Sequence, residues 1–197
     1  MRNSILAIML MLSAVVVSTG QTQTKKYDIK SGIVTYETDM KMGQMDMKTK
    51  SIVYFDDYGI KECRETYVQD KLRDVFFSDG KELYVLKTDK KIALKRGEAV
   101  RGTEFRVDVS EFGTQKDHPD VVCKKLASTT IAGKTCKGFQ CTGKDGTVTQ
   151  YYGWDKILMA LKLKTKNIES SQQAVKIEPN AIVPPEKFAV PAGYTIQ

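Results

Sequence analysis

Short apolar and polar alternations, cut by glycine and aspartate turns, run through most of the chain. A period of two held over a few residues is the pattern of half-buried antiparallel strands. Gly32 to Met42 alternates with Val34, Tyr36, Met40 and Met42 on one face. Gly43-Gln44 follows, and glycine in the first place of a two-residue loop suits a type II′ hairpin turn. Met45 to Phe55 then places Met45, Met47, Val53 and Phe55 on one face. With that turn Met42 faces Met45, Met40 faces Met47 and Val34 faces Val53, so both apolar sets lie on the same side.

The pattern continues as a meander. Asp56-Asp57-Tyr58-Gly59 is a turn before a charge-rich strand from Ile60 to Tyr67. Strands over Asp74 to Phe77 and Glu82 to Leu86 flank the turn Ser78-Asp79-Gly80-Lys81, and Thr88-Asp89-Lys90 leads to Ile92–Leu94. Residues 97–118 have no clean period. Asp117-His118-Pro119 predicts a short helix running through Val121, Val122 and Leu126, with proline in its first turn. Strands resume at Thr135 to Thr142, Thr147 to Trp154, Leu158 to Thr165 and Gln173 to Ile177. Pro184-Pro185-Glu186-Lys187-Phe188 allows one helical turn before an extended tail, Val190 to Ile196. The fold class is therefore mainly β (α+β): an antiparallel sheet with a few short helices.

The first twenty residues change the picture of where this sheet works. Arg2 precedes a nearly unbroken apolar run from Ile5 to Val17, and Ser18-Thr19-Gly20 supplies small residues. That is the layout of a cleaved secretory signal, too short to span a bilayer, which needs about 20 apolar residues. Residues 1–20 are thus expected to be a signal peptide and residues 21–197 one β-rich domain, soluble and periplasmic. No cysteine precedes Cys63, so a lipoprotein is not expected. The net charge is +7, one unit of it in the signal. An anionic partner is one reading of that basicity; lysines scattered along alternating strands fit a solvated surface better. Export argues against nucleic acid.

Export also makes disulfides of Cys63, Cys123, Cys136 and Cys141. On one extended strand Cys136 and Cys141 would stand about 16 Å apart, beyond the roughly 7 Å reach of a bridge. Unless a turn at Lys137-Gly138 voids that exclusion, two pairings remain open: Cys63–Cys136 with Cys123–Cys141, or Cys63–Cys141 with Cys123–Cys136. No CxxC spacing occurs and His118 is the single histidine, so a zinc site is not expected.

Catalytic patterns are missing. One histidine beside Pro119 offers no nucleophile elbow. Gly133-Lys134 and Gly143-Lys144 lack the spacing of a phosphate loop. Asp56 and Asp57 are explained by their turn. No enzyme, cofactor or resident metal is expected. What stands out is the methionine hairpin, and three readings of it compete: core filling, the lining of a cavity for an apolar ligand, and soft thioether ligands for copper(I). The candidate binding residues are Tyr36, Met40, Met42, Met45, Met47, Val53 and Phe55.

Three stretches resemble the LolA-like superfamily of exported proteins. They are Ile52-Val-Tyr-Phe-Asp-Asp-Tyr-Gly59, Ile131-Ala-Gly-Lys-Thr-Cys-Lys-Gly-Phe139 and Val183-Pro-Pro-Glu-Lys-Phe-Ala-Val-Pro-Ala-Gly-Tyr194. The likeness is nearer to the uncharacterised families than to the lipoprotein carrier, from which the chain departs in its four cysteines and single tryptophan. The resemblance implies a strongly curved sheet, an incomplete barrel, with an apolar cavity for a lipid or other apolar ligand. The other reading is a structural protein of the envelope that holds a protein partner.

Overall fold

The strands expected from the alternation are present and join into one sheet. The computed structural model describes residues 25–98 and 121–197. Residues 1–24, which include the expected signal segment, and residues 99–120, with Asp117, His118 and Pro119 among them, lie outside the described residues. Among the described residues the strands are β1 (Gly32–Met42), β2 (Met45–Asp56), β3 (Lys61–Val68), β4 (Lys71–Ser78), β5 (Glu82–Lys87), β6 (Ile92–Glu98), β7 (Val121–Ile131), β8 (Lys134–Gly143), β9 (Val148–Trp154), β10 (Ile157–Lys164), β11 (Ile168–Pro179) and β12 (Thr195–Ile196). Their order in the sheet is β12-β6-β5-β4-β3-β2-β1-β11-β10-β9-β8-β7. Every pair is antiparallel except the parallel contact of β12 with β6.

The first hairpin has the expected register: Met42 pairs Met45, Met40 pairs Met47 and Val34 pairs Val53. Gly43 alone of the two turn residues has a positive φ, 61°, which fits a type II′ turn. Two expectations fail. The helix through Val121, Val122 and Leu126 is instead β7, whose β-branched Val121, Val122, Thr129 and Thr130 favour extended backbone. β11 is also more than twice the expected length, because it is held on both sides, by β1 and by β10. Pairing on both edges carries Ser170, Ser171 and Gln172, which have little strand preference of their own.

The sheet curls without closing. Cα atoms of β7 and β11 approach within 8 Å although three strands lie between them; flat spacing would hold them about 19 Å apart. Register shifts at Thr35/Tyr36, Leu158/Ala160 and Leu126/Thr129 mark bulges in this half, and each bulge bends its strand and increases twist. The edges, β7 and β12, do not pair.

Successive residues of β2 separate two cores. Phe55 packs on the first face with Tyr27, Val34, Tyr36, Val53, Cys136 and Ile157. Tyr54 packs on the second face against Cys63, Val75, Phe77, Leu86 and Ala93. The chain's C-terminal stretch covers that second face through Val183, Phe188 and Val190, with the expected helical turn at Pro185–Phe188. Two glutamates of β3 tie down the segments that cover the sheet. Glu62 accepts hydrogen bonds from Lys26 (2.6 Å) and Tyr27 (2.7 Å). Glu65 accepts from Tyr67 (2.8 Å), Tyr54 (3.3 Å) and Lys187.

Of the two expected disulfides one forms, Cys123–Cys141, between directly paired residues of β7 and β8 with Cα atoms 4.1 Å apart. Cys63 and Cys136 are free thiols. Cys63 is buried in the second-face core and Cys136 in the first-face core, so the sheet itself stands between them. Burial, then the nearby Glu65 carboxylate, pushes the Cys63 thiol up from 9.0 to about 12. Burial also raises Cys136. A folded pKa above the unfolded one gives a contribution to stability that is complete below pH 9 and is lost as pH rises toward 12. Ellman's reagent at neutral pH is therefore expected to titrate no thiol in the native protein and two in denaturant. Rapid labelling of the native chain would contradict this burial.

Candidate functional site

The face that carries Val34, Tyr36, Val53 and Phe55 is banded. Direct cross-strand partners project to the same side of a sheet, and the registers make one continuous row of Val34, Val53, Arg64, Phe76, Val85 and Leu94 across β1 to β6. Five of the six are apolar. Arg64 interrupts them and places its guanidinium 6.0 Å from the Tyr36 ring centroid. Toward the hairpin turn the next rows are polar, with Ser51 and Thr66 beside Tyr36, then Thr38 beside Thr49. Beyond them come the two methionine rows, Met40 with Met47 and Met42 with Met45.

The candidate residues divide accordingly. Val53 and Phe55 are buried in the first-face core. Tyr36 is buried beside them and donates its hydroxyl hydrogen to the Leu158 carbonyl of β10 at 2.8 Å. Burial drives its phenol pKa upward, against the opposing pull of Arg64, so the hydroxyl stays protonated and the bond to β10 holds. Met40 and Met47 are half-buried. Met42 and Met45 are 46% and 59% exposed. The structure thus brings the four methionines together as two cross-strand pairs at the end of the hairpin, while Tyr36, Val53 and Phe55 sit deeper.

Two local features hold this end of the hairpin in place. On its reverse face Glu37 pairs Lys50, Asp39 pairs Lys48 and Lys41 pairs Asp46. Such opposed charges add little stability when exposed, and their alternation with the methionines agrees with the register set by the core residues of the same strands. On one side Met40 and Met42 pair with Ser170 and Ile168 of β11. On the other side β3 pairing begins only at Lys50, which leaves residues 45–49 of β2 with an open edge.

Phe76, Val85 and Leu94 belong to the same face as the candidates and were not among them. Each is an apolar residue in a recognisable strand, and only the registers of four successive strands align them. Among the described residues no group of three or more His, Cys, Asp or Glu could hold a metal ion. A separate open recess of about 510 Å³ lies by the β5–β6 turn, lined by Arg73, Asp74, Lys87, Lys90, Ile92 and Leu94 among others.

No family model and no curated protein matches the chain. Solved structures do. An uncharacterized conserved protein from Thermus thermophilus aligns at 7% identity over 85% of this chain and 90% of its own, with a TM-score of 0.57. MucB aligns at 9% identity over 85% of this chain and 60% of its own, with a TM-score of 0.52. This chain therefore spans less than two thirds of the MucB chain. The LolA superfamily protein NE2245 from Nitrosomonas europaea aligns at 10% identity over 86% of this chain and 96% of its own, with a TM-score of 0.40. The fold is shared with the Thermus protein and MucB, a curled antiparallel sheet left open. At these identities the likeness is one of fold alone. In this curled and open sheet the methionine rows stand at the hairpin end while Val34 and Val53 lie in the first-face core.

Proposed function

We propose that this protein is an exported, periplasmic, non-catalytic binding module for a lipid or other apolar ligand, held on the banded face of its LolA-like sheet. The observation that carries the reading is the pair of methionine rows at the rim. Four flexible, polarizable side chains project from the core face, and two of them remain about half exposed where core packing would bury them. Methionine adapts its shape to irregular apolar guests, and the adjoining half-buried Thr38 and Thr49 can hydrogen-bond a polar end. Export is supported by the Cys123–Cys141 bridge, which belongs to oxidising compartments. Among the described residues no helix is long and apolar enough to cross a membrane.

Native mass spectrometry after mild extraction is expected to show a co-purifying lipid-like mass. Replacing Met40 and Met47 together with serine is expected to weaken binding of a fluorescent acyl probe about tenfold, the loss of roughly two partly buried apolar side chains. Unchanged probe affinity in that variant, with no co-purifying mass, would rule the reading out. The open β2 edge at residues 45–49 favours a second reading, a strand-adding envelope protein. MucB has been solved in complex with MucA, so a protein partner is compatible with this fold. A stable protein recovered from envelope fractions, with no small ligand, would favour it.

A further inference from the structure

We propose that the hairpin end of the sheet is a docking rim for an anionic lipid surface. Cross-strand registers fix the level of this rim. Lys41 pairs Glu169, Lys164 pairs both Glu169 and Val148, and Thr142 pairs both Val148 and Val122. That single row, running from β1 through β11, β10, β9 and β8 to β7, places three turns side by side beyond it: 43–44, 144–147 and 165–167. The exposed apolar residues at this level are Met42 and Met45 at 46% and 59% and Val122 at 64%.

Charge surrounds these apolar points unevenly. Segments 39–48, 121–125, 140–149 and 162–170 hold eight lysines and four acidic residues. Two of the four acids are already engaged. Asp39 faces Lys48 at 3.6 Å, and Asp145 accepts from the Thr147 amide (2.9 Å) and hydroxyl (2.8 Å) within its turn. Lys164 and Lys166, on either side of Thr165, have no ion-pair partner among the described residues.

This arrangement favours a lipid surface over a protein. Protein interfaces are depleted of lysine and gather their apolar residues into one dry centre. Here the apolar points are spread over separate turns with lysines between them. Shallow apolar tips flanked by lysines match an anionic headgroup layer, to which each lysine adds attraction and into which methionine and valine can dip. The inference does not depend on a carried ligand, although a rim on the membrane would set the banded face where a lipid could enter.

The test is flotation of the processed chain with vesicles of phosphatidylcholine alone or mixed with phosphatidylglycerol. Binding is expected to the mixed vesicles at low salt and to fall steeply as salt rises. Lys164→Gln with Lys166→Gln should weaken it about tenfold or more, and Met42→Ser with Met45→Ser about tenfold. These are exposed positions, and far-UV circular dichroism checks that each variant folds. Equal binding to both vesicle types, binding to neither, or wild-type binding by both variants overturns the proposal. A dimer dissolved by the methionine variant, without vesicle binding, overturns it too and assigns the rim to a second copy. Co-purifying lipid is read separately by mass spectrometry, so failure here leaves the ligand reading distinguishable.

Discussion

Phe55→Ala is expected to destabilise the protein by about 3–5 kcal/mol, the range for emptying a fully buried aromatic site. Phe55 is 1% exposed and packs a tilted ring on Tyr27, with centroids 4.7 Å apart. Its cross-strand partner is Gly32. A Cβ on that glycine would lie 2.7 Å from the Phe55 ring, so the ring already fills the space where Gly32 has no side chain. No neighbour can therefore collapse cheaply into the gap. Tyr27 would lose its main contact, and its hydrogen bond to Glu62, which ties the N-terminal segment to β3, would loosen with it. Urea denaturation measures the loss as a lower midpoint with an unchanged slope. A cost under about 1 kcal/mol would mean that the first-face core is not packed around Phe55.

The second large effect is expected on the opposite face. Glu65→Ala should cost about 2–3 kcal/mol, less than the loss of a wholly buried ion pair because Lys187 retains some access to water. The Glu65 side chain is 12% exposed and that of Lys187 28%. Removing the carboxylate leaves Lys187 and the hydroxyls of Tyr54 and Tyr67 without their acceptor. The damage should be local, because Lys187 belongs to the stretch that covers the second-face core. Amide hydrogen exchange is expected to speed up around residues 183–194 while β1 and β2 remain protected. Glu65→Leu combined with Lys187→Met should recover most of the loss, since a removed pair is better tolerated than a broken one. If the double variant is as unstable as the sum of its parts, the pair is not coupled as described.

The first hairpin was legible residue by residue because three local signals agreed. Gly43 needs a left-handed backbone, the apolar alternation has a period of two, and the charges on the reverse face are opposed in the same register. β7 was misread because Val122 and Leu126 are four residues apart, a helical spacing, and Pro119 suggested a helix start; the pairing with β8 that decides the matter lies in other residues. The polar start of β11 reads as loop until β1 and β10 supply partners for it. The two disulfide pairings could not be separated because the face on which Cys63 points depends on β3 pairing with both β2 and β4. The methionines were visible as a cluster, but the hydroxyl band that separates them from the core, and the continuation of that face of the sheet through Phe76, Val85 and Leu94, depend on the register of successive strands.

The strand order has a consequence for how the chain reaches this structure. β1 to β6 is one meander and β7 to β11 another, each built from hairpins between sequence neighbours. The two meet along β1 and β11, whose partners are well over a hundred residues apart. Local hairpins form with little loop-closure entropy, whereas this join must overcome the closure of nearly the whole chain before any of its hydrogen bonds form. The β1–β11 seam is thus expected to be the slow step in folding, and the two meanders become one sheet only after it has zipped.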